Sequence, residues 1–228
     1  MKINSLAIVM PVYNEQNNIQ KVLRIWQKKI KSFNFKKFKF IIINDGSTDL
    51  TLKKIKKLKS KNFKIINTKN CGHGSACLTG YKFAVKNNYN WIFQIDSDGQ
   101  CNPKYFSLFV KKSKKEPIIF GHRIKRKDGL MRLIFSKLLT NLIYFKTGLF
   151  IEDTNVPYRL MKSSFLKKVI KNFPKGLILK NILVTIRLKF FFNHIHFIPI
   201  VFDQRISGKT KYNLKSLLIQ INNLLKYI

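Results

Sequence analysis

The chain has 228 residues, of which 45% are hydrophobic and 13% aromatic, and this composition excludes an intrinsically disordered protein. Forty-five Lys and Arg residues against ten Asp and Glu residues give a formal net charge of +35. Such a charge favours polyanionic partners, namely nucleic acid, an anionic membrane surface or a phosphorylated substrate, although lysines spread along a whole chain are equally typical of a compositional bias on solvent-exposed faces.

The first half of the chain alternates short apolar runs with segments of helical periodicity. The apolar runs predict strands at residues 5–10, 38–43, 63–67, 91–95 and 117–120. The helical spacing of apolar side chains predicts helices at residues 15–31, 50–60, 75–86 and 103–112. Strands that alternate with helices in this way predict an α/β fold with a mostly parallel sheet and helices on both of its faces.

The second half of the chain follows a different pattern. An amphipathic helix is predicted at residues 130–146, and after it come an irregular segment, two helical stretches, a strand at 196–202, a basic loop and a final amphipathic helix. We predict one α/β domain over residues 1–212 and a C-terminal helix over 213–228. The apolar runs are too short for a signal peptide or a membrane span. His194 and His196 alternate along one face of the last strand and are interpreted as packing residues.

Acidic residues are few, and six of the ten lie where predicted strands end or in the irregular segment: Glu15, Asp45, Asp49, Asp96, Asp98 and Asp153. The preference of Asp for turns and helix starts is sufficient to explain Asp49. It does not explain Asp96 and Asp98, which follow a buried strand and point the same way at positions i and i+2 of an extended chain. Because open α/β sheets bind ligands beyond the carboxyl ends of their strands, this pair predicts a divalent cation site there.

Six segments occur in the order and with the spacing typical of one enzyme family: IVMPVYNE, IIINDGSTD, NCGHGSACLTG, FQIDSDGQCNP, EDTNVPYRLM and QRISGKTKYN. On these segments, which span about residues 5–215, the chain resembles the family 2 glycosyltransferases of the Rossmann-like GT-A fold. More narrowly, it is similar to the synthases that place a sugar on dolichyl phosphate or on a bacterial polyprenyl phosphate.

The resemblance implies a nucleotide-sugar site at the ends of the first four strands. It assigns the base and the ribose to the loop after the first strand and to the acid after the second. The residues that it assigns to nucleotide binding are Pro11, Tyr13, Glu15, Asp45 and Asp96.

The resemblance also implies a metal ion, Mg²⁺ or Mn²⁺, held by Asp96 and Asp98 with Gln100 as a third ligand. A cation at this position neutralises the departing nucleoside diphosphate. Arg205 in the basic loop is expected to grip the same diphosphate, and the loop is expected to close over the bound nucleotide. Asp96, Asp98 and Arg205 are therefore the predicted catalytic residues of the donor side.

On the acceptor side, the resemblance points to Arg123, Arg132 and Ser136 as a cradle for a phosphate monoester. Arg132 and Ser136 are four residues apart, so they lie on one helical face, where a guanidinium fork and a hydroxyl suit a phosphate. Two alternatives stay open. Arg132 is also compatible with an ordinary surface residue of an amphipathic helix, and Asp153 matches the acidic general base of family members that attack with a sugar hydroxyl.

The sequence therefore predicts a metal-dependent inverting transferase that moves a hexose from a UDP- or GDP-linked donor to a polyprenyl phosphate. The basic helix at 130–146 suits an anionic membrane surface. The cysteines, which are odd in number and without framework spacing, predict reduced thiols and a cytosolic compartment. We accordingly expect a peripheral protein at the cytoplasmic face of the membrane, with or without a separate membrane partner subunit.

Two other functions are considered. One is a transferase of the same fold that acts on a saccharide acceptor in surface polysaccharide assembly, with Asp153 as its base. The other is a basic nucleic-acid-binding protein. The basic residues are not clustered and no nucleic-acid-binding motif is present in the sequence, so nucleic acid is not the expected partner.

Overall fold

The computed structural model describes residues 3–126, 130–174, 176–203 and 214–228, and it describes no side chain at residues 125–126, 130–136 and 214–218. Within these ranges the strands are β1 (Ser5–Val12), β2 (Lys37–Asp45), β3 (Phe63–Thr68), β4 (Trp91–Ile95), β5 (Ile118–Arg126), β6 (Tyr158–Lys162) and β7 (His196–Phe202). The helices are α1 (Ile19–Lys31), α2 (Thr51–Lys57), α3 (His73–Lys86), α4 (Phe106–Lys112), α5 (Leu130–Thr147), α6 (Ser163–Val169), α7 (Lys180–Phe192) and α8 (Leu214–Leu225).

The seven described strands form one sheet in the order β3-β2-β1-β4-β6-β5-β7. Every ladder is parallel except those of β6, which runs antiparallel to both of its neighbours, β4 and β5. β1 and β4 are buried along their whole length. Continuous apolar runs of this kind are what a parallel strand needs when helices cover both faces of the sheet.

Adjacent residues of β1 point to opposite faces of the sheet, and a helix packs against each face. On the face of Ile8, whose neighbour across the ladder is Phe93, Trp26 of α1 packs against the Phe93 ring with centroids 5.5 Å apart. On the opposite face, Gly80 of α3 lies so close to the sheet that a Cβ on it would stand 2.4 Å from Val9 Cγ1. A glycine at this position therefore lets α3 approach the sheet closely.

A second, smaller apolar cluster lies between the helices of the C-terminal half. It includes Ile143 from α5, Leu183 from α7 and Leu224 from α8, all nearly inaccessible to solvent. The predicted final helix is thus confirmed as α8. Because α8 shares this cluster with α5 and α7, the division of the chain at residue 212 stays a prediction. None of the helices in the described ranges has the length and apolar character that crossing a bilayer requires.

The predicted α/β architecture with a mostly parallel sheet is confirmed, and one strand was not predicted. Residues 158–162 form β6, although the sequence YRLMK at these positions is short and carries Arg159 at its centre. An arginine inside a short apolar run is typical of an exposed segment, whereas here it is fully buried.

Candidate functional site

The carboxyl ends of six strands and the amino end of β6 meet at one edge of the sheet, because β6 runs against its neighbours. Open α/β sheets bind their ligands at this edge. The loops that follow β1, β2, β3 and β4 converge there with the end of β5 and the loop that precedes β6. These loops carry most of the residues that the sequence predicts for the site.

The loops after β1 and β2 are joined by hydrogen bonds. The Thr48 N–H donates to Asn14 Oδ1 (2.9 Å), and the Glu15 N–H donates to Thr51 Oγ1 (2.8 Å). The Glu15 side chain is buried, and its Oε2 accepts from Asn18 Nδ2 at 3.3 Å. Glu15 therefore braces the entry to α1, and its predicted contact with the nucleotide stays a prediction.

Tyr13 and Pro11 differ in how they meet solvent. Pro11 lies inside β1 and is buried, whereas Tyr13 is 45% exposed immediately after the strand. An exposed aromatic ring at the ligand-binding edge is free to stack on a planar base. Of the two, Tyr13 is the better placed for the predicted contact with the nucleotide.

Asp45 ends β2 and fixes the segment that follows β3. Its carboxylate accepts hydrogen bonds from the backbone N–H groups of Cys71 (3.0 Å) and Gly72 (2.9 Å) and from the hydroxyl of Thr68 (3.2 Å). The adjacent Gly46 has φ +70°, and a Cβ on it would stand 2.7 Å from the backbone nitrogen of the residue at position 70. Glycine is required at this turn, because an L side chain there is strained and has no room.

A pocket of about 250 Å³ opens beside Asp45. It is smaller than the pockets of about 300–1,000 Å³ that usually hold small-molecule ligands. Its other lining residues are Thr68, Cys71, Ser75, Ala76, Leu78, Thr79, Lys82 and Lys180.

Asp96 and Asp98 lie directly after β4, as predicted. Asp96 Oδ1 stands 2.8 Å from His73 Nε2, and Asp98 Oδ1 accepts from the Gln100 backbone N–H at 3.1 Å. Both acids are partly exposed. Carboxylate oxygens are the ligands that Mg²⁺ and Mn²⁺ prefer, and phosphate oxygens and water commonly complete the coordination of such ions. The donor set therefore fits the predicted divalent metal.

His73, at the start of α3, is a site residue that the sequence analysis did not assign. Burial lowers the pKa of its imidazole, but the nearby Cys77 sulfur and the Asp96 carboxylate raise that pKa well above its usual value. The ring is thus protonated over a wider pH range than a free histidine. It places positive charge beside Asp96, where the positive end of the α3 dipole also lies.

Gln100 joins the loop after β4 to the end of β7. Its Nε2 donates to the Asp203 carbonyl at 2.8 Å, and Asn102 Nδ2 donates to Asp203 Oδ2 at 3.0 Å. The amide nitrogen is engaged, so the amide oxygen is the atom that Gln100 has to offer a cation. Its role as a third metal ligand stays a prediction.

A bidentate ion pair joins Arg123 near the end of β5 to Asp153 in the loop before β6. Arg123 Nε donates to Oδ2 and Nη2 donates to Oδ1, both at 2.7 Å, and the two side chains are only 8% and 5% exposed. The Arg123 guanidinium also lies over the Phe202 ring, 5.4 Å from its centroid. The preceding residues face each other similarly, with His122 Nδ1 3.3 Å from Glu152 Oε2.

This pair connects two residues for which separate roles are predicted, Arg123 at the acceptor phosphate and Asp153 as the alternative general base. Both roles stay predictions. Because both carboxylate oxygens accept from Arg123, Asp153 is less available to take a proton from an acceptor.

Arg159 is a second residue that the sequence analysis missed. It is fully buried, and its N–H groups donate to the carbonyls of Val156 (2.8 Å), Thr154 (3.1 Å) and Asn181 (2.9 Å). Its guanidinium also lies 4.7 Å from the centroid of the Phe120 ring. Burial lowers the pKa of Arg159. The side chain ties the loop before β6 to α7 and so supports the segment that carries Asp153.

Three of the predicted positions have little or no structural description. Arg132 and Ser136 lie in α5, four residues apart on the helix as predicted, but their side chains are outside the described residues. Arg205 lies outside the described residues altogether, with the rest of the basic loop at 204–213. The roles of these residues at the acceptor phosphate and the donor diphosphate stay predictions.

Comparison with known protein families and curated sequences gives a consistent result. The family described as Glycosyl transferase family 2 matches residues 7–172. An uncharacterized protein of Methanocaldococcus jannaschii is 34% identical over 175 residues, which cover 71% of this chain and 73% of the relative. The undecaprenyl-phosphate 4-deoxy-4-formamido-L-arabinose transferase of Edwardsiella ictaluri is 24% identical over 221 residues, covering 95% of this chain and 65% of the transferase. The chain thus spans just under two thirds of that enzyme's length.

Comparison with solved structures identifies the fold. The glucosyl-3-phosphoglycerate synthase from Mycobacterium tuberculosis, in complex with Mn²⁺, UDP and phosphoglyceric acid, gives a TM-score of 0.70 at 14% identity and covers 97% of this chain and 76% of the synthase. Residues 1–349 of TarS from S. aureus give a TM-score of 0.58 at 20% identity, covering 87% and 58% of the two chains. At such identities the likeness concerns the fold alone, and it confirms the predicted GT-A architecture.

Proposed function

This chain belongs to glycosyl transferase family 2, and we propose that it transfers a hexose, with inversion, from a nucleotide sugar to a polyprenyl phosphate. The observation that carries the proposal is the buried bidentate pair between Arg123 and Asp153. A sugar hydroxyl needs a base to take its proton as it attacks, and the acid at that position is held by an arginine. A phosphate monoester has a second pKa of about 6, so it is largely a dianion at neutral pH and attacks without a base.

The donor half of the reaction is assigned to the loop after β4. A divalent cation held by Asp96 and Asp98 would stabilise the negative charge of the departing nucleoside diphosphate. His73 and the amino end of α3 are proposed to supply positive charge beside Asp96. Arg205 is proposed to grip the diphosphate from the basic loop. In support, the Mycobacterium tuberculosis synthase was solved with Mn²⁺ and UDP-glucose.

The nucleoside is assigned to the loops after β1 and β2. Tyr13 is exposed there and is proposed to contact the base, while Asp45 holds the backbone of the segment after β3 in place. Since these two loops are bonded to each other, the nucleoside meets a rigid surface. Such preorganisation reduces the entropy that is lost on binding.

The acceptor phosphate is assigned to α5 and the end of β5. Arg132 and Ser136, one turn apart on α5, are proposed to bind the phosphate, with Arg123 supporting the same edge from β5. The likeness over 95% of this chain to a transferase whose name specifies undecaprenyl phosphate supports a polyprenyl phosphate acceptor.

The lipid part of the acceptor requires a membrane, and α5 carries features that suit one. Tyr144 and Phe145 in its last turns are 48% and 83% exposed, and Phe150 just beyond the helix is 67% exposed. Aromatic side chains favour the interface between water and lipid. With a net charge of +35, the protein is proposed to bind peripherally to an anionic leaflet. Three free cysteines support the cytoplasmic face, where thiols stay reduced.

The donor is identified by a thermal-shift panel of UDP- and GDP-sugars with and without Mn²⁺, since a ligand that binds only the folded state raises the melting temperature. Transfer to undecaprenyl phosphate is then compared in the parent chain, Arg132→Ala and the control Lys137→Ala. Lys137 is an exposed lysine of the same helix. Arg132→Ala is expected to lose a charge-assisted contact of about 1.5–3 kcal/mol, a fall of roughly ten- to hundredfold in acceptor efficiency.

Two results together support the proposal: metal-dependent hydrolysis of the donor survives in Arg132→Ala, and Lys137→Ala behaves like the parent chain. Transfer to a saccharide acceptor, with none to undecaprenyl phosphate, would overturn the acceptor assignment. A panel in which no nucleotide sugar shifts the melting temperature would overturn the donor assignment.

A further inference from the structure

A group of side chains with metal-binding chemistry lies where β5 and β7 begin, at the end of these strands opposite the candidate site. Glu116, His194 and His196 each offer one ligand atom, and the three atoms lie within 4.8 Å of one another. His194 Nε2 is 3.1 Å from Glu116 Oε2. The described residues contain no other group of three His, Cys, Asp or Glu side chains that is this close.

The backbone positions of the three residues are fixed by the sheet. His196 is the first residue of β7 and pairs with Ile119 of the parallel strand β5. Glu116 lies two residues before the start of β5. His194 lies in the turn between α7 and β7. These are the amino ends of the two strands. Through the ladders, His196 is level with Phe93 of β4, so Asp96 lies about 10 Å further along the strands and about 14 Å across them from the cluster.

The grouping is unexpected for this composition. The chain has four histidines and ten acidic residues against forty-five Lys and Arg residues. In such a chain a carboxylate would ordinarily have a lysine or arginine as its nearest partner. Here the Glu116 carboxylate instead lies against an imidazole, with a second imidazole beside it.

We propose that Glu116, His194 and His196 bind one divalent transition-metal ion of the Zn²⁺ class. Two imidazole nitrogens and one carboxylate oxygen are a ligand set that suits Zn²⁺ and similar borderline ions, whereas Mg²⁺ prefers oxygen ligands alone. Ligands at about 2.0–2.2 Å from a tetrahedral zinc stand about 3.3–3.6 Å from each other. The widest separation in the cluster therefore needs to shorten by up to about 1.2–1.5 Å. His194, with 61% of its side chain exposed, has room to move. A bound ion would join the segment before β5 to the start of β7 and so stabilise that end of the sheet.

The test is calorimetric titration of the full chain with ZnCl₂ in the presence of millimolar MgCl₂, which occupies carboxylate sites of the Asp96 and Asp98 type. One equivalent of Zn²⁺ is expected to bind to the parent chain. His194→Gln is expected to weaken that event by at least about tenfold, since even outer-shell partners of a metal contribute about 10–100-fold. The control is His73→Gln, which removes a histidine beside Asp96 at the other edge and is expected to leave the event unchanged.

Melting temperatures with and without Zn²⁺ distinguish a lost metal site from a variant that folds poorly. Zn²⁺ is expected to raise the melting temperature of the parent chain, because it binds only the folded state. His194→Gln is expected to melt like the parent without Zn²⁺, because the side chain is exposed, and to show no rise with it. If Zn²⁺ binds His194→Gln and the parent equally well, or if His73→Gln is the variant that loses binding, the proposed site is wrong. No binding to the parent chain would overturn it as well.

Discussion

The Arg123–Asp153 pair gives the sharpest prediction for stability. Asp153→Asn keeps the size of the side chain but removes the carboxylate that accepts two hydrogen bonds from the Arg123 guanidinium, which is only 8% exposed. Removing one partner of a buried ion pair typically destabilises a protein by about 3–5 kcal/mol. Because the asparagine oxygen retains one hydrogen bond and Phe202 still lies under the guanidinium, we expect the lower end, about 3 kcal/mol. For a chain of this size that corresponds to a fall of about 6–12 °C in melting temperature.

The assay is thermal unfolding followed by circular dichroism on four variants. They are Asp153→Asn, Arg123→Gln, the double variant, and Glu152→Gln as a control. The double variant replaces both charges by amides, so it is expected to be less destabilised than the sum of the two single changes, by about 1–3 kcal/mol. Glu152 faces His122 in a more exposed pair at 3.3 Å, and its loss is expected to change stability by less than about 1 kcal/mol.

Activity measured well below the melting temperature then separates stability from chemistry. If the acceptor is an ionised phosphate, folded Asp153→Asn is expected to keep its turnover within about tenfold, because no proton has to be removed. A general base contributes about 10²–10⁴ in rate. A variant that is folded but inactive would therefore refute the phosphate acceptor, and additive effects in the double variant would refute the ion pair itself.

The remaining predictions concern the metal, the membrane and the packing of α3. Asp98→Asn is expected to abolish transfer and to weaken the metal dependence of nucleotide binding. The control Asp49→Asn, just before α2, is expected to keep that dependence. If nucleotide binding to Asp98→Asn responds to metal as in the parent chain, the metal assignment is wrong. Vesicles with anionic lipid are expected to bind the protein in flotation assays and to release it as salt screens the charge over about 8–10 Å, and salt-insensitive binding would indicate hydrophobic insertion instead. Gly80→Ala is expected to destabilise by about 1–3 kcal/mol through its clash with Val9, and Val9→Ala in the same chain is expected to recover part of that loss in a denaturant titration.

Local sequence patterns predicted the parts of the molecule that depend on neighbours in the chain. The strands β1 to β5 and β7 follow from apolar runs, and Asp96 and Asp98 were found because they follow one of those runs directly. The contacts that were missed join residues far apart in sequence. Asp153 lies 30 residues from Arg123, and Asn181 lies 22 residues from Arg159. No spacing rule links such positions, because the fold alone brings them together.

The same limit applies to Gln100 and His73. The sequence predicted Gln100 as a metal ligand, but the bond of Gln100 to the Asp203 carbonyl spans 103 residues and depends on where β7 ends. His73 follows a predicted strand, which is a local signal, yet its contact with Asp96 requires β3 and β4 to end at one edge. Composition alone gave no reason to prefer it to the other three histidines.

The position of β6 bears on the order in which the protein assembles during synthesis. Among the described strands, β3, β2, β1 and β4 pair with one another and β5 pairs with β7. In the sheet these two groups are joined by β6, which pairs with β4 on one side and with β5 on the other. Once residues up to Ile95 have emerged from the ribosome, β1 to β4 are able to pair. The exposed edge of β4 then stays open until Tyr158–Lys162 emerges, and open edges invite pairing with other chains. The five residues of β6 thus complete the sheet, and by the same step they bring the Asp153 loop to the end of the sheet where the loops after β1 to β4 converge.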